Sequence, residues 1–201
     1  MREKILAVDI ALLPPKELHD IAIQLSKEIT QKHPESFALS DERLPHVTLA
    51  MAFIDSEKIG MITAKISEVL TRTPALTLKV YSKIAWSDPT SEISLYNTKE
   101  LQSLHSEMIR VLKPFHTSID GCREYYVFDE GEKTTKRLLD WPKTYIYKHE
   151  QGEICPHITL GSKLPSTQEI EGTSYTFSQA ALFQQGNWCT CRKRLHEWNL
   201  S

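Results

Sequence analysis

The sequence has little cysteine, no excess of either charge and no long hydrophobic run. Its four cysteines are Cys122, Cys155, Cys189 and Cys191. They are too few and too scattered for a disulfide framework, so we expect reduced thiols. The 201 residues carry a formal net charge of -2, which gives no general attraction to a long polyanion such as duplex DNA. A small anionic ligand is still compatible with this charge balance.

The N-terminal segment lacks the features of a targeting or membrane signal. Its one apolar run is short, is interrupted by Asp9 and ends at Pro14 and Pro15. It is therefore neither a secretory signal nor long enough to span a bilayer. We expect a cytoplasmic protein without a membrane partner.

Motifs of several common enzyme classes are also missing. The sequence has no H-E-x-x-H pair, no G-x-S-x-G elbow and no G-x-x-x-x-G-K-[ST] phosphate loop. The pair Cys189 and Cys191 has no second cysteine pair to complete a zinc site, and the acidic residues are not clustered around the histidines. The sequence therefore predicts neither a metal site nor a cofactor.

The residues that are present repeat one order of elements in the two halves of the chain. A short apolar strand at 5–10 precedes a helix with apolar residues at helical spacing, and "PHVTL" begins the next strand. A strand at 92–97 likewise precedes a helix, which we expect Asn97 to cap, and "PHITL" follows later. We infer a single domain over residues 1–201, built by internal duplication.

The two half-repeats are predicted at about 1–90 and 91–201, with an insertion at about 114–153 in the second. An insertion of this length is typical of a lid or a binding loop. Its aromatic residues are Tyr125, Tyr126, Phe128, Trp141, Tyr145 and Tyr147. We expect them to pack the insertion onto its own domain rather than to stack on a base.

The repeated motif places a histidine and a threonine on one face of each strand. Because side chains alternate along a strand, His46 and Thr48 point the same way and the aliphatic residues between them point the other way. His157 and Thr159 repeat this arrangement. If the two units are related by approximate two-fold symmetry, the histidines face each other across a groove.

Two imidazoles across a groove suit acid-base catalysis at phosphorus. A neutral histidine can remove a proton from the attacking oxygen while a protonated one donates a proton to the leaving oxygen. The threonine hydroxyls can donate to phosphoryl oxygens. A single His-x-Thr in an apolar strand usually marks a hydrogen-bonded core histidine, but two copies at equivalent positions favour catalysis. The other histidines are interpreted as surface or incidental residues: His19, His33, His105, His116, His149 and His196.

The paired "PHVTL" and "PHITL" resemble the two signatures of the 2H phosphoesterase superfamily, which includes bacterial 2′-5′ RNA ligase-like proteins and cyclic nucleotide phosphodiesterases. The resemblance covers essentially the whole chain. It implies a bilobal α+β fold with pseudo-two-fold strand-helix-strand units and antiparallel sheets flanking a central groove. It also implies His46 and His157 as the acid-base pair, Thr48 and Thr159 as phosphate donors, and chemistry without a metal.

The resemblance implies a phosphodiesterase that acts on a 2′,3′-cyclic phosphate or a 2′-5′ linkage of a nucleotide or short RNA. Two alternatives remain: a module that binds RNA ends or nucleotides without turnover, and 2′-5′ RNA ligation at the same site. Further candidates for substrate binding are Arg43, Lys83, Tyr96 and Arg123, although for each of them a solvated or packing role is the simpler interpretation.

Overall fold

The structure is a computed structural model that describes residues 4–85, 90–150, 152–162 and 170–201, without the side chains of 82–85. Its strands are β1 (Ile5–Leu13), β2 (Val47–Asp55), β3 (Leu76–Ala85), β4 (Ser91–Leu95), β5 (His157–Gly161), β6 (Ser174–Phe177), β7 (Gln179–Gln185) and β8 (Cys191–Asn199). Its helices are α1 (Lys16–Lys32), α2 (Ile59–Leu70), α3 (Lys99–Leu112), α4 (Lys136–Leu139) and α5 (Trp141–His149).

The described strands form two antiparallel four-stranded sheets. The first has the order β2-β1-β7-β8 and the second has the order β5-β4-β3-β6. Each sheet begins with a motif strand, which pairs with the strand that precedes it in its own half of the chain. The α+β class with antiparallel sheets, which the family resemblance implied, is confirmed.

Both sheets take strands from both halves of the chain. The first sheet contains β7 and β8 from the second half, and the second sheet contains β3 from the first half. The helices cross over in the same way, because α1 packs on β5 and α3 packs on β2. The division into two half-repeats near residue 90 stays a prediction about the order of elements in the sequence. It does not describe which strands form each sheet.

The two helices that back the motif strands begin and end where their sequences dictate. α1 starts after Pro14 and Pro15 and buries its apolar stripe, Leu18, Ala22, Leu25 and Ile29. In α3 the N-cap is Thr98, whose hydroxyl accepts a hydrogen bond from the amide of Leu101 at 3.2 Å. The expectation that Asn97 caps this helix was wrong by one residue, since the Asn97 amide donates to Gln102 instead.

The insertion contains short helices and largely packs on the first sheet. α5 contacts β2, and Tyr126 and Tyr145 are buried, whereas Tyr147 is 56% exposed. Tyr126 meets the ring of Phe53 edge-on at a centroid distance of 6.3 Å. In the part of the chain that is described, no helix combines the length and apolar character that a membrane span needs.

Candidate active site

The first motif places His46 directly before β2 and Thr48 inside it. His46 Nδ1 lies 2.8 Å from the carbonyl oxygen of Leu44. A carbonyl oxygen only accepts, so Nδ1 carries the hydrogen and Nε2 keeps its lone pair for chemistry. The backbone just before the strand therefore selects the tautomer of this histidine.

The second motif has the same geometry. His157 Nδ1 lies 2.8 Å from the carbonyl oxygen of Cys155, two residues before it. Nε2 is again the nitrogen left for chemistry. The equivalence of the two copies thus extends from the sequence to the hydrogen bond that orients each ring.

The two motifs meet at the junction of the sheets. β2 and β5 are both edge strands, and they contact each other. Burial lowers the pKa of His46 to about 4, with a smaller contribution from the charge of the nearby His157. The side chain of His46 is 12% exposed and that of His157 is 42% exposed. The site therefore has one enclosed imidazole and one open imidazole.

A carboxylate from the neighbouring strand lies near Nε2 of each histidine. Asp9 Oδ2 of β1 is 3.8 Å from His46 Nε2, and Glu92 Oε2 of β4 is 4.0 Å from His157 Nε2. Ser94 donates a hydrogen bond to Glu92 Oε1 at 2.7 Å. The sequence analysis missed both carboxylates. The available signal was their position, since Asp9 interrupts one short strand and Glu92 stands near the start of another, and each of these strands pairs with a motif strand.

Asp9 has an unusual environment for an acidic residue. Its side chain is fully buried, and Thr48 Oγ1 donates to its Oδ2 at 2.8 Å. Burial raises the pKa of Asp9 well above its usual value, and the interactions with Thr48 and with the amide of Gln185 only partly oppose this. Its other oxygen, Oδ1, and both amide atoms of the buried Gln185 make no hydrogen bond of normal geometry among the described residues, although Gln185 lies close enough to influence the carboxyl group. A buried unpartnered oxygen is costly, which marks Asp9 as a candidate functional group.

Both motif strands contain a bulge at the leucine that follows the threonine. In β2, Ala50 pairs with Ile10 and Thr48 with Ala11, so Leu49 is the extra residue. In β5, Leu160 occupies the same place between the pairs of Thr159 and Gly161. A bulge locally turns a strand and re-aims its side chains. The shared bulge therefore helps to direct both His-Thr pairs into the junction.

One further histidine supports the first bulge. His105 of α3 is fully buried, and its Nδ1 lies 2.7 Å from the carbonyl oxygen of Leu49. The interpretation of His105 as a surface or incidental residue was therefore wrong. Burial also lowers the pKa of His105, which favours the neutral ring that donates this bond.

The remaining candidates for substrate binding make contacts outside the two His-Thr pairs. Arg43 donates to Asp129 and, at 3.0 Å, to Glu132 of the insertion. Arg123 donates to the carbonyl of Glu132 at 2.7 Å and covers the ring of Phe128.

The remaining two candidates lie in the second sheet. Tyr96 follows β4, is 51% exposed and contacts the ring of Tyr81. The backbone of Lys83 pairs with Ile93 in β3 and β4, but its side chain lies outside the described residues. A role for these four residues in substrate binding stays a prediction.

Three residues near the first motif bring metal-ligating atoms together. One atom each from Asp9, His46 and Cys191 lie within 4.8 Å of one another. These residues are far apart in the sequence, so the sequence alone predicts no metal site. The proximity arises because β1, β2 and β8 belong to one sheet, and because the segment that carries His46 is tied to β8 by the bridge between Leu44 and Cys191.

Several solved structures share the fold. E. coli LigT complexed with 3′-AMP is 16% identical, with a TM-score of 0.58, over 98% of this chain and 99% of that chain. TT0787 of Thermus thermophilus is 10% identical, with a TM-score of 0.60, over 97% and 98%. A structure described as a phosphoesterase is 15% identical, with a TM-score of 0.53, over 98% of both chains. No protein-family model and no curated protein sequence matches the chain.

Two antiparallel sheets that meet at paired His-x-Thr strands form an α+β fold that the chain shares with these solved structures. The chain has the fold of LigT along essentially its full length. The resemblance to the 2H phosphoesterase superfamily, recognised from the two Pro-His motifs, is confirmed at the level of the fold.

Proposed function

We propose that the protein is a metal-independent phosphodiesterase that opens 2′,3′-cyclic phosphates or cleaves 2′-5′ linkages in nucleotides or short RNA. The observation that supports the proposal most directly is that equivalent hydrogen bonds orient His46 and His157. Both rings are held through Nδ1 by a carbonyl two residues earlier, and both leave Nε2 for proton transfer. Acid-base catalysis needs two such groups held at one junction.

The proposed reaction begins with water attacking the phosphorus of the cyclic ester. One Nε2 removes a proton from the attacking water, the bond from phosphorus to one ribose oxygen breaks, and the other Nε2 supplies the proton that this oxygen needs. Negative charge develops on the phosphoryl oxygens, where hydroxyls of Thr48 and Thr159 can donate hydrogen bonds. The product is a nucleoside monophosphate, and the two histidines have exchanged protonation states.

Two further observations support a nucleotide as substrate. LigT, whose fold the chain shares, has been solved in complex with 3′-AMP and with NADP+. The net charge of -2 also suits a small ligand better than a long polyanion. Short RNA ends carry the same ribose phosphate group, so they belong to the same proposed substrate class.

The test is hydrolysis of the four nucleoside 2′,3′-cyclic phosphates and of 2′-5′ dinucleotides in the presence of EDTA. We expect turnover, and we expect His46→Ala and His157→Ala each to lower kcat by about 10²- to 10⁴-fold, the usual contribution of a general acid or base. His33→Ala is the control, because His33 lies at the end of α1 and, among the described residues, its ring pairs with Glu35 at 3.7 Å. Full activity in both motif variants would refute the proposal, and nucleotide binding without turnover would favour a binding module.

A further inference from the structure

The floor of the junction beside His46 contains a set of ligands that the acid-base mechanism does not use. Asp9, His46 and Cys191 offer a carboxylate oxygen, an imidazole nitrogen and a sulfur within 4.8 Å of one another. Asp9 and Cys191 are fully buried, and His46 is nearly so. Oxygen, nitrogen and sulfur are the ligand types that zinc takes in proteins.

The spacing of these groups is close to that of a bound ion. Ligand atoms around tetrahedral zinc lie about 3.4 Å apart for an oxygen and a nitrogen, given the usual bond lengths. Asp9 Oδ2 and His46 Nε2 are 3.8 Å apart. The pair is therefore about 0.4 Å wider than in an occupied site.

His46 is already arranged as a metal-binding histidine. Such residues almost always donate their second ring N–H to a carbonyl or carboxylate, which fixes the tautomer and the ring plane. His46 Nδ1 has this bond to Leu44, and the same segment pairs with Cys191 through the backbone, since Leu44 donates to the Cys191 carbonyl at 3.2 Å. The backbone thus fixes two of the three ligands relative to each other.

The third ligand, Asp9, belongs to a buried polar pair that is not fully hydrogen-bonded. Its Oδ1 and both amide atoms of Gln185 have no hydrogen bond of normal geometry within the described part of the chain, although Gln185 is close enough to lower the pKa of Asp9. Burial raises the pKa of both Asp9 and Cys191 well above their usual values, so a dication that binds them displaces one proton from each into solvent. The resulting carboxylate and thiolate, together with a neutral imidazole, balance the charge of the dication in this buried place. A cation held at Asp9 Oδ2 therefore offsets the charge of the buried carboxylate and leaves no uncompensated charge there.

We propose that Asp9, His46 and Cys191 form a binding site for a divalent transition metal of the zinc class, with a fourth position open to the groove. The ion binds the lone pair of His46 Nε2, which is the lone pair that proton transfer requires. Occupation of the site therefore inhibits the proposed phosphodiesterase, and only this consequence depends on the proposed function. The metal site itself can be tested without turnover.

The test is titration of the full-length, metal-free protein with Co²⁺, followed by absorption spectroscopy. We expect the visible bands of tetrahedral cobalt together with a near-ultraviolet charge-transfer band from thiolate to cobalt. Cys191→Ser should remove the charge-transfer band, and His46→Ala should weaken binding by at least the roughly 10- to 100-fold that loss of even an outer-shell partner costs. The matched control is Cys189→Ser, two residues along the chain and outside the group of three, which should keep the band.

Absence of the band in the wild-type protein, or its persistence in Cys191→Ser, would overturn the proposal. Circular dichroism of each variant, recorded alongside, separates loss of a ligand from loss of the fold, and Asp9→Asn provides a second ligand variant if Cys191→Ser unfolds. In an activity assay, saturating Zn²⁺ should lower the wild-type rate by about 10²-fold, as loss of one acid-base group does, and EDTA should restore it. The ratio of rates with and without zinc should approach one in Cys191→Ser.

Discussion

At the scale of single residues, the proline of each motif has a structural reason. The carbonyl that holds His46 belongs to Leu44, so the bond passes around Pro45, and the bond from His157 to Cys155 passes around Pro156. Proline fixes its own φ and restricts the residue before it to an extended conformation. The preceding carbonyl is therefore presented to the ring at little entropic cost. The pattern Pro-His thus encodes the tautomer as well as the position of each imidazole.

Thr159 provides a residue-scale prediction, because its proposed role depends on one hydroxyl. Thr159→Val keeps the shape of the side chain and removes the donor to the phosphoryl oxygen. We expect kcat to fall by about 10²- to 10³-fold, the cost of losing one donor to developing negative charge. Steady-state kinetics on a 2′,3′-cyclic phosphate measures this change. Thr159→Ser should restore most of the rate, and equal activity of the valine and serine variants would contradict a donor role.

At the scale of secondary-structure elements, the bulges connect the helices to the site. Leu49 lies outside the pairing of β2 with β1, and α3 supplies the donor for its carbonyl through His105. α3 belongs to the other half of the chain, so the crossed helix packing fixes β2, the strand that follows His46. His105 is therefore a positioning residue for the first motif.

His105→Leu should show this connection. Loss of the donor leaves a buried carbonyl unpaired, which should lower the free energy of unfolding by about 1–3 kcal/mol in urea denaturation. Without this hydrogen bond the bulge is no longer held in place. We therefore expect the factor by which kcat falls to exceed the factor by which the KM for the substrate rises. His105→Asn is the matched variant, because its amide nitrogen lies near the position of Nδ1. If asparagine restored stability but not kcat, the positioning role would be refuted.

The positions of several helices and strands could be predicted from the sequence. The pairing between distant strands could not. α1 was evident from its prolines and apolar spacing, and the strands of both motifs from their alternation. The pairing of β7 with β1 was not predictable, because no local pattern records which distant edge a strand joins. For the same reason Cys191 was interpreted as an ordinary thiol, and Asp9 as a mere interruption of an apolar run. Both acquire their role only when β1, β2 and β8 form one sheet.

At the scale of the whole molecule, the insertion joins parts of the first sheet that are distant in sequence. Its backbone bonds to β2 and to β7, through Thr117 to Phe53 and Val127 to Gln185, both at 2.8 Å. This covers part of the free edge of β2, an edge that proteins commonly protect. Asp129 then accepts bonds from Arg192 at 2.6 and 3.0 Å and also from Arg43. The insertion is thus anchored beside the first motif.

Asp129→Asn should therefore loosen the insertion while the sheets remain folded. Hydrogen bonds from Arg192 chiefly hold the pKa of Asp129 at about 2, below its usual 3.8. A lowered pKa stabilises the fold above the usual value, and this stabilisation is lost as the pH falls towards about 2. At pH 7 we expect a loss of about 1 kcal/mol, the upper end for partly exposed ion pairs, and faster proteolysis within 114–153. Relative to wild type, this loss of stability should disappear between about pH 4 and pH 2.

The control is Glu130→Gln, which removes the same charge from an exposed neighbour for which the described residues show no ion pair. A similar loss of stability in this variant would assign the effect to net charge instead of the arginine contacts.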